Sequence, residues 1–239
     1  MNLSMNYQKF QKILSDFKEE FDKESLFENR EKIRVKKESS VVKNLEHIFD
    51  ATLTISNKKG FQAMTMRDLS REAGLSMGAL YSYFPSKEDL LTMLQHHGRS
   101  ITKTMLWKYI SLEKEAADKL KTAIKIHLYL SEAMQPWFYF SYMEARNLSE
   151  QEQARAIESE LYTENIFESI LKEGGETGIF LSGNHQLTAG IIKAILQDWY
   201  LKRWKYAKRN ISIDQYAQYV ISIVEKICLS PEHKKQPSQ

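Results

Sequence analysis

Six histidines, a single cysteine and scattered carboxylates are the side chains through which this 239-residue chain could hold a metal or run acid-base chemistry. Their spacing argues against both. His96 and His97 are adjacent, so on a helix they point roughly 100° apart and cannot share a metal as residues four apart can. His47, His127, His185 and His233 are scattered along the chain, and no zinc-ligand spacing, nucleophile elbow or dinucleotide fingerprint occurs. Gly174, Gly175 and Gly178 resemble a phosphate loop only in composition. No strand pattern precedes them and no Lys-Ser/Thr pair follows, so the Gly174-Gly175 pair is expected to end a helix. Enzymatic turnover, a cofactor and a metal are therefore not expected.

Residues 65–91, TMRDLSREAGLSMGALYSYFPSKEDLL, show a different kind of chemistry. Thr65 and Asp68 have capping-box spacing, Gly74 supplies a left-handed turn position, and Ser76 caps a helix that Pro85 stops. Ser86 and Asp89 repeat the cap spacing. The short helix from Met77 to Phe84 buries Leu80 and Phe84, and its outward positions Met77, Gly78, Ala79, Tyr81 and Ser82 include two of the smallest residues. Something bulky must come close to that backbone, and in a DNA reader it is the wall of the major groove.

Helical periodicity surrounds this stretch on both sides. Phe10, Ile13 or Leu14, Phe17 and Phe21 form an amphipathic stripe expected to pack against its own domain or a partner subunit, since its polar face mixes both signs of charge. Residues 28–40 read as a linker or arm. Five basic residues and one acid lie in residues 30–37, which suit either a solvated charge run or an arm that reaches DNA phosphates. A helix with Val42, Leu45, Ile48, Phe49 and Leu53 follows, ending at Lys58, Lys59 and Gly60. Beyond residue 93 every segment reads as helix: one through Leu120, Ile124 and Leu128, one beginning at Pro136, one opened by Ser149 and Glu152, a long one running from Asn184 through Trp199 and Trp204, and a last one capped by Ser212 and Gln215.

Net charge is only +3, no run is long and apolar enough for a membrane span, and the N-terminus lacks the apolar run of a secretory signal. Cys228 sits in a periodic apolar run and reads as a small buried hydrophobe. The expected location is cytoplasmic, with no membrane partner. The fold class is all-α: an N-terminal extension over residues 1–40, a three-helix domain with a helix-turn-helix over 41–92, a larger helical ligand-binding and dimerisation domain over 93–229, and a disordered tail over 230–239.

Gly60-Phe61, the run from Thr65 to Leu69, Ala73-Gly74-Leu75-Ser76, and the run from Gly78 to Leu91 resemble the DNA-binding domain of the TetR family of bacterial transcriptional regulators. The resemblance covers residues 41–94 and leaves the first 40 outside the pattern. It implies a homodimer that binds a double-stranded DNA operator and responds to a small molecule. By position and resemblance, Thr65, Tyr83 and Lys87 are expected at phosphates, and Arg67, Met77, Gly78, Ala79 and Tyr81 at the groove, with Met66 and Ser76 beside them. The recognition helix has no Arg, Lys, Asn or Gln, so Arg67 is the one strong bidentate reader, and specificity is expected to lean on apolar contacts, Tyr81 and DNA shape.

The aromatic and sulfur residues between positions 95 and 167 suit either a core or a pocket for a hydrophobic effector. Trp107, Met134, Trp137, Phe138, Tyr142, Met143, Tyr162 and Phe167 are the candidates, with Phe138 and Tyr142 on one face and His127, Arg146 or Lys193 placed to meet an acidic group. The segment EARNLS and the GxxxGxF pattern of Gly174 to Phe180 resemble regulators of fatty-acid or acyl-CoA metabolism, which implies a repressor released by a fatty acyl-CoA. An efflux-type regulator sensing aromatic or cationic drugs is the alternative, and a helical small-molecule-binding protein or enzyme is a third. The last two long helices are apolar over more than one stripe, so Ile191, Ile195, Trp199, Tyr216, Val220 and Val224 are expected at the dimer interface.

Overall fold

A computed structural model of the chain describes residues 5–28, 38–145 and 149–233, and the basic arm of residues 30–37 lies outside them. Eleven helices occur among the described residues: α1 (Tyr7–Glu28), α2 (Glu38–Lys59), α3 (Met66–Glu72), α4 (Met77–Tyr83), α5 (Lys87–Ile110), α6 (Ala116–Ala133), α7 (Gln135–Glu144), α8 (Glu150–Glu176), α9 (His185–Leu201), α10 (Arg203–Lys208) and α11 (Ile213–Cys228). Phe180 and Leu229 form an isolated antiparallel bridge. None of the described helices is long and apolar enough to cross a membrane.

The chain forms two compact units, one of Gln11–Ile101 with Pro136–Ala154, the other of Met1–Phe10, Thr102–Gln135 and Arg155–Gln239. In the first, α2 turns Val41, Leu45, Ile48, Phe49, Leu53 and Ile55 inward, and these share a core with Phe61, Leu69, Leu80, Phe84, Leu90 and Leu94. Helices α3 and α4 pack on each other, and α3 packs on α2. The buried Thr52 hydroxyl is satisfied by donating to the Ile48 carbonyl at 2.7 Å. Leu14 of α1 is buried in this unit, and Phe17 stacks on Phe21 at 5.5 Å.

The second unit is built around α6, whose buried residues Leu120, Ile124, Ile126, Leu128, Tyr129 and Leu130 run round the helix rather than down one stripe. Apolar residues all round require neighbours all round, and α9 and α11 pack against α6. The first turn of α1 is anchored here. The Tyr7 backbone N–H donates to Asp214 Oδ1 at 3.1 Å, and Phe10, fully buried, lies 5.4 Å from the Tyr129 ring. The Tyr129 hydroxyl also donates to Asp214.

Two helix ends differ from the sequence expectation. Helix α8 passes through Gly174 and Gly175 and ends at Glu176, with Gly178 taking the left-handed conformation at φ 76°. Gly174 is required for packing instead: a Cβ there would stand 2.1 Å from the Phe180 ring. The long helix expected to run from Asn184 through Trp204 stops at Leu201, and α10 folds back as a separate turn.

His97, on α5, lies 5.3 Å from the Phe49 ring and 5.8 Å from that of Phe21. Burial, reinforced by the charges of Lys18 and His96, lowers its pKa to about 4 from the usual 6.5. The unfolded chain therefore binds the extra proton between pH 6.5 and about 4 while the folded chain does not. Stability should fall as pH is lowered through that window and level off below it. Thermal melts of His97→Leu should show a shallower acid loss than the parent across the same range.

Candidate nucleic-acid interface

The helix-turn-helix is assembled by local hydrogen bonds that the sequence dictates. Asp68 N–H donates to Thr65 Oγ1 and Thr65 N–H to Asp68 Oδ2, each at 3.1 Å, completing the capping box of α3. Gly74 has φ 66°, and Leu75 N–H closes the turn on the Ser70 carbonyl at 3.0 Å. Ser70 Oγ donates back to the Leu75 carbonyl at 2.6 Å. Ser76 caps α4 by accepting from Ala79 N–H at 3.1 Å, and Asp89 N–H reaches Ser86 Oγ at 3.0 Å at the start of α5. These bonds set the angle at which α4 leaves the core.

The outward side of α4 is small and open. Tyr81 is 47% exposed, Gly78 is exposed, and Met77 and Ala79 are half-buried. A Cβ built on Gly78 would meet nothing within 4 Å. Glycine is a poorer helix former than alanine, and no contact among the described residues requires it here. The adjoining face of α3 presents exposed Arg67, half-buried Met66 and the exposed cap Thr65. Ser76 is exposed as well.

Two of the expected phosphate contacts, Tyr83 and Lys87, have partners within the unit. Tyr83 is 3% exposed, and its hydroxyl accepts from Asn44 Nδ2 of α2 at 2.9 Å. It is a core residue of the unit, because α4 places it three positions after Leu80 on the same inward face. Lys87 is half-buried: its ammonium donates to the Gln62 carbonyl at 3.0 Å and lies 4.6 Å over the Phe61 ring. Burial lowers its pKa from the ordinary lysine value. Asp68 accepts from Lys59 at 2.8 Å and pairs with Arg71 at 3.1 Å, and the Lys59 bond leads the causes that hold its carboxyl below the usual range.

Glu144 was not singled out by sequence reasoning. It is 9% exposed at the end of α7 and accepts from the Phe61 backbone N–H at 3.2 Å, beside a Phe140–Phe61 edge contact at 5.9 Å. Its partner is a main-chain group 83 positions earlier, so no local pattern could have announced it. Asn57 Nδ2 likewise donates to the Pro136 carbonyl at 3.0 Å. These contacts hold α7 against the corner between α2 and α3.

The expected effector residues divide between the two units. In the unit with the helix-turn-helix, Trp137 and Phe138 are buried edge to face at 5.0 Å. Tyr142 and Met143 are 51% and 44% exposed, so Phe138 and Tyr142 do not share an inward face. Helix α7 is apolar on nearly every side, and its buried residues are Trp137, Phe138, Phe140 and Glu144 instead. In the other unit, His127, Met134 and Phe167 are buried, with the His127 and Phe167 rings 6.5 Å apart. Tyr162 is half-buried under the Lys103 ammonium at 4.8 Å, whereas Trp107 is 68% exposed. Arg146 lies outside the described residues.

Four of the expected interface residues are interior to the subunit. Trp199 has no exposed surface, Val220 and Val224 are 2% exposed and Tyr216 is 9% exposed. The reason is the break at Lys202. Helix α10 turns back and stacks Tyr206 on the Trp199 ring at 4.9 Å, Tyr216 closes from the other element at 4.9 Å, and Trp199 Nε1 donates to Glu132 at 2.8 Å. The apolar face that seemed spare is covered by the chain itself. Ile195 is half-buried and Ile191 is 60% exposed, joined on α9 and α11 by exposed Leu187, Tyr219 and Ile227.

Comparison with known proteins agrees with this architecture. Residues 48–94 match the family described as bacterial regulatory proteins, tetR family, and residues 113–227 match the tetracyclin repressor-like C-terminal domain. The transcriptional repressor KstR of Mycolicibacterium smegmatis is 48% identical over 46 residues, 19% of this chain and 22% of the relative. The chain thus aligns with about a fifth of that relative's length. The fatty acid metabolism regulator protein of Bacillus subtilis is 25% identical over 166 residues, covering 66% of this chain and 84% of the relative. A solved tetR-family regulatory protein from Rhodococcus RHA1 superposes with TM-score 0.69 at 21% identity, over 79% of this chain and 98% of its own. With both its helix-turn-helix and its larger helical region matched, the chain belongs to the TetR family of bacterial transcriptional regulators.

Proposed function

We propose that the protein is a homodimeric, ligand-responsive DNA-binding repressor rather than an enzyme, and that a hydrophobic acyl compound such as a fatty acyl-CoA releases it from its operator. The observation that carries the DNA reading is Gly78: its missing side chain relieves no contact among the described residues, so its smallness serves a surface that approaches from outside. Arg67 and Tyr81 are exposed as well. Arg67 is suited to a guanine edge, and Tyr81 to an apolar or shape contact. The arm of residues 30–37 would add phosphate contacts. Exposed Leu187, Ile191, Tyr219 and Ile227 support a second copy on α9 and α11, which would set two recognition helices about 34–36 Å apart. The acyl class draws support from the name of the Bacillus subtilis relative.

Fluorescence anisotropy with the DNA upstream of the protein's own gene tests the reading. Binding should weaken with salt, and Arg67→Ala should cost about 1–3 kcal/mol. Gly78→Leu should abolish binding without unfolding the protein, while Gly78→Ala should leave thermal stability undiminished. No salt-sensitive binding, or binding indifferent to the Arg67→Ala and Gly78→Leu pair, would sink the proposal.

A further inference from the structure

Lys193 of α9 is a cation in the interior of the larger unit, its side chain only 6% exposed. Its ammonium lies 2.8 Å from Glu160 Oε2 of α8, and Gln197, one turn further along α9, donates to Glu160 Oε1 at 2.5 Å. The two members of the pair are held very differently. Lys193 is flanked on its own helix by fully buried Ala189 and Leu196, whereas the Glu160 side chain is 44% exposed and reaches in from the rim. On the α6 side stands His127, 1% exposed, kept uncharged by burial and by the Lys193 charge. Phe167 adds an apolar wall next to His127.

A buried ammonium requires an anion, but packing does not specify which one. Glu160 can leave because it regains water at the rim; Lys193 cannot follow it. We propose that Lys193 receives one anionic oxygen group of the acyl effector, and that Glu160 is the resident group which that effector displaces. The inference rests on the acyl reading above and narrows it: one ammonium, one amide and a neutral imidazole accommodate a single negative charge. Displacement frees Glu160 from both Lys193 and Gln197, so the same event that seats the ligand unties α8 from α9.

The test uses the full-length protein with dansyl-undecanoic acid as fluorescent probe, and dodecanoate, methyl dodecanoate and dodecanoyl-CoA as competitors. An anionic competitor should displace the probe about tenfold better than the methyl ester. Glu160→Gln should widen that preference, and the neutral double variant Lys193→Met/Glu160→Gln should erase it while its melting curve shows that it folds. Competition by dodecanoate assigns the group to a carboxylate, and Lys193-dependent competition by dodecanoyl-CoA alone assigns it to a phosphate. Equal competition by the ester, a preference that survives in the double variant, or no displacement by any of the three overturns the proposal. Operator binding, measured separately, would still stand or fall by its own titration.

Discussion

Trp199→Ala should destabilise the protein by about 4 kcal/mol, in the middle of the range of aromatic-to-alanine losses. The indole is fully buried, clustered with the Tyr206 and Tyr216 rings, overlain by the Arg203 guanidinium at 4.8 Å, and donates to Glu132. Its removal leaves a cavity and also strands Glu132, which the Arg203 Nε contact at 2.8 Å compensates in part. Thermal or urea unfolding measures the loss. Ile191→Asp on the same helix is the contrast: at 60% exposure it should leave the unfolding of the subunit within about 0.5 kcal/mol. Light scattering should instead show the variant as a monomer and the parent as the proposed dimer. If Trp199→Ala were the mild variant and Ile191→Asp the severe one, the reading of which α9 face is interior would be reversed.

Gly98→Ala should be nearly as damaging, although alanine normally favours a helix. A Cβ at this position would stand 2.0 Å from Trp137 Cε2 and 2.4 Å from its Nε1. The indole is itself 7% exposed, so the clash falls on a buried ring. Overpacking of this kind costs about 3 kcal/mol. One rung away, Ser141 Oγ donates to Gln95 Oε1 at 2.8 Å, so a shifted α7 loses that bond as well. The same helix carries Glu144 to the Phe61 N–H at the base of the helix-turn-helix. Gly98→Ala should therefore weaken operator binding as well as lower the melting temperature. Trp137→Leu in the Gly98→Ala background should restore part of the stability, and no restoration would argue that the clash lies elsewhere.

Local hydrogen-bond chemistry was the most legible part of the chain. Thr65 with Asp68, Ser212 with Gln215 and Asn184 at the start of α9 all cap as their spacing implies, because each cap joins groups three residues apart. Gly74 adopts the left-handed turn for the same reason. Faces were harder. Tyr83 is expected at a phosphate, but three positions from Leu80 it turns inward and its hydroxyl accepts from Asn44. Helix α7 is so uniformly apolar that period alone cannot say whether Phe138 pairs with Tyr142 or with Trp137. Gly174 reads as a stop and proves to be a seat for Phe180, a residue that reaches it only once Gly178 has turned the chain.

By itself, then, the sequence determined an all-helical chain with a capped helix-turn-helix at residues 65–91, whose recognition helix carries small residues outward. Caps, turns and helical period act within one or two turns of chain, and those distances are written in residue order. Tertiary structure alone decided that Trp199 and Tyr216 are core, that Glu144 grips the Phe61 N–H and that Lys193 is a buried cation answered by Glu160. Each of those depends on a partner 7 to 83 positions away, brought near by packing of whole helices, and packing is a property of volumes and faces that no single spacing records.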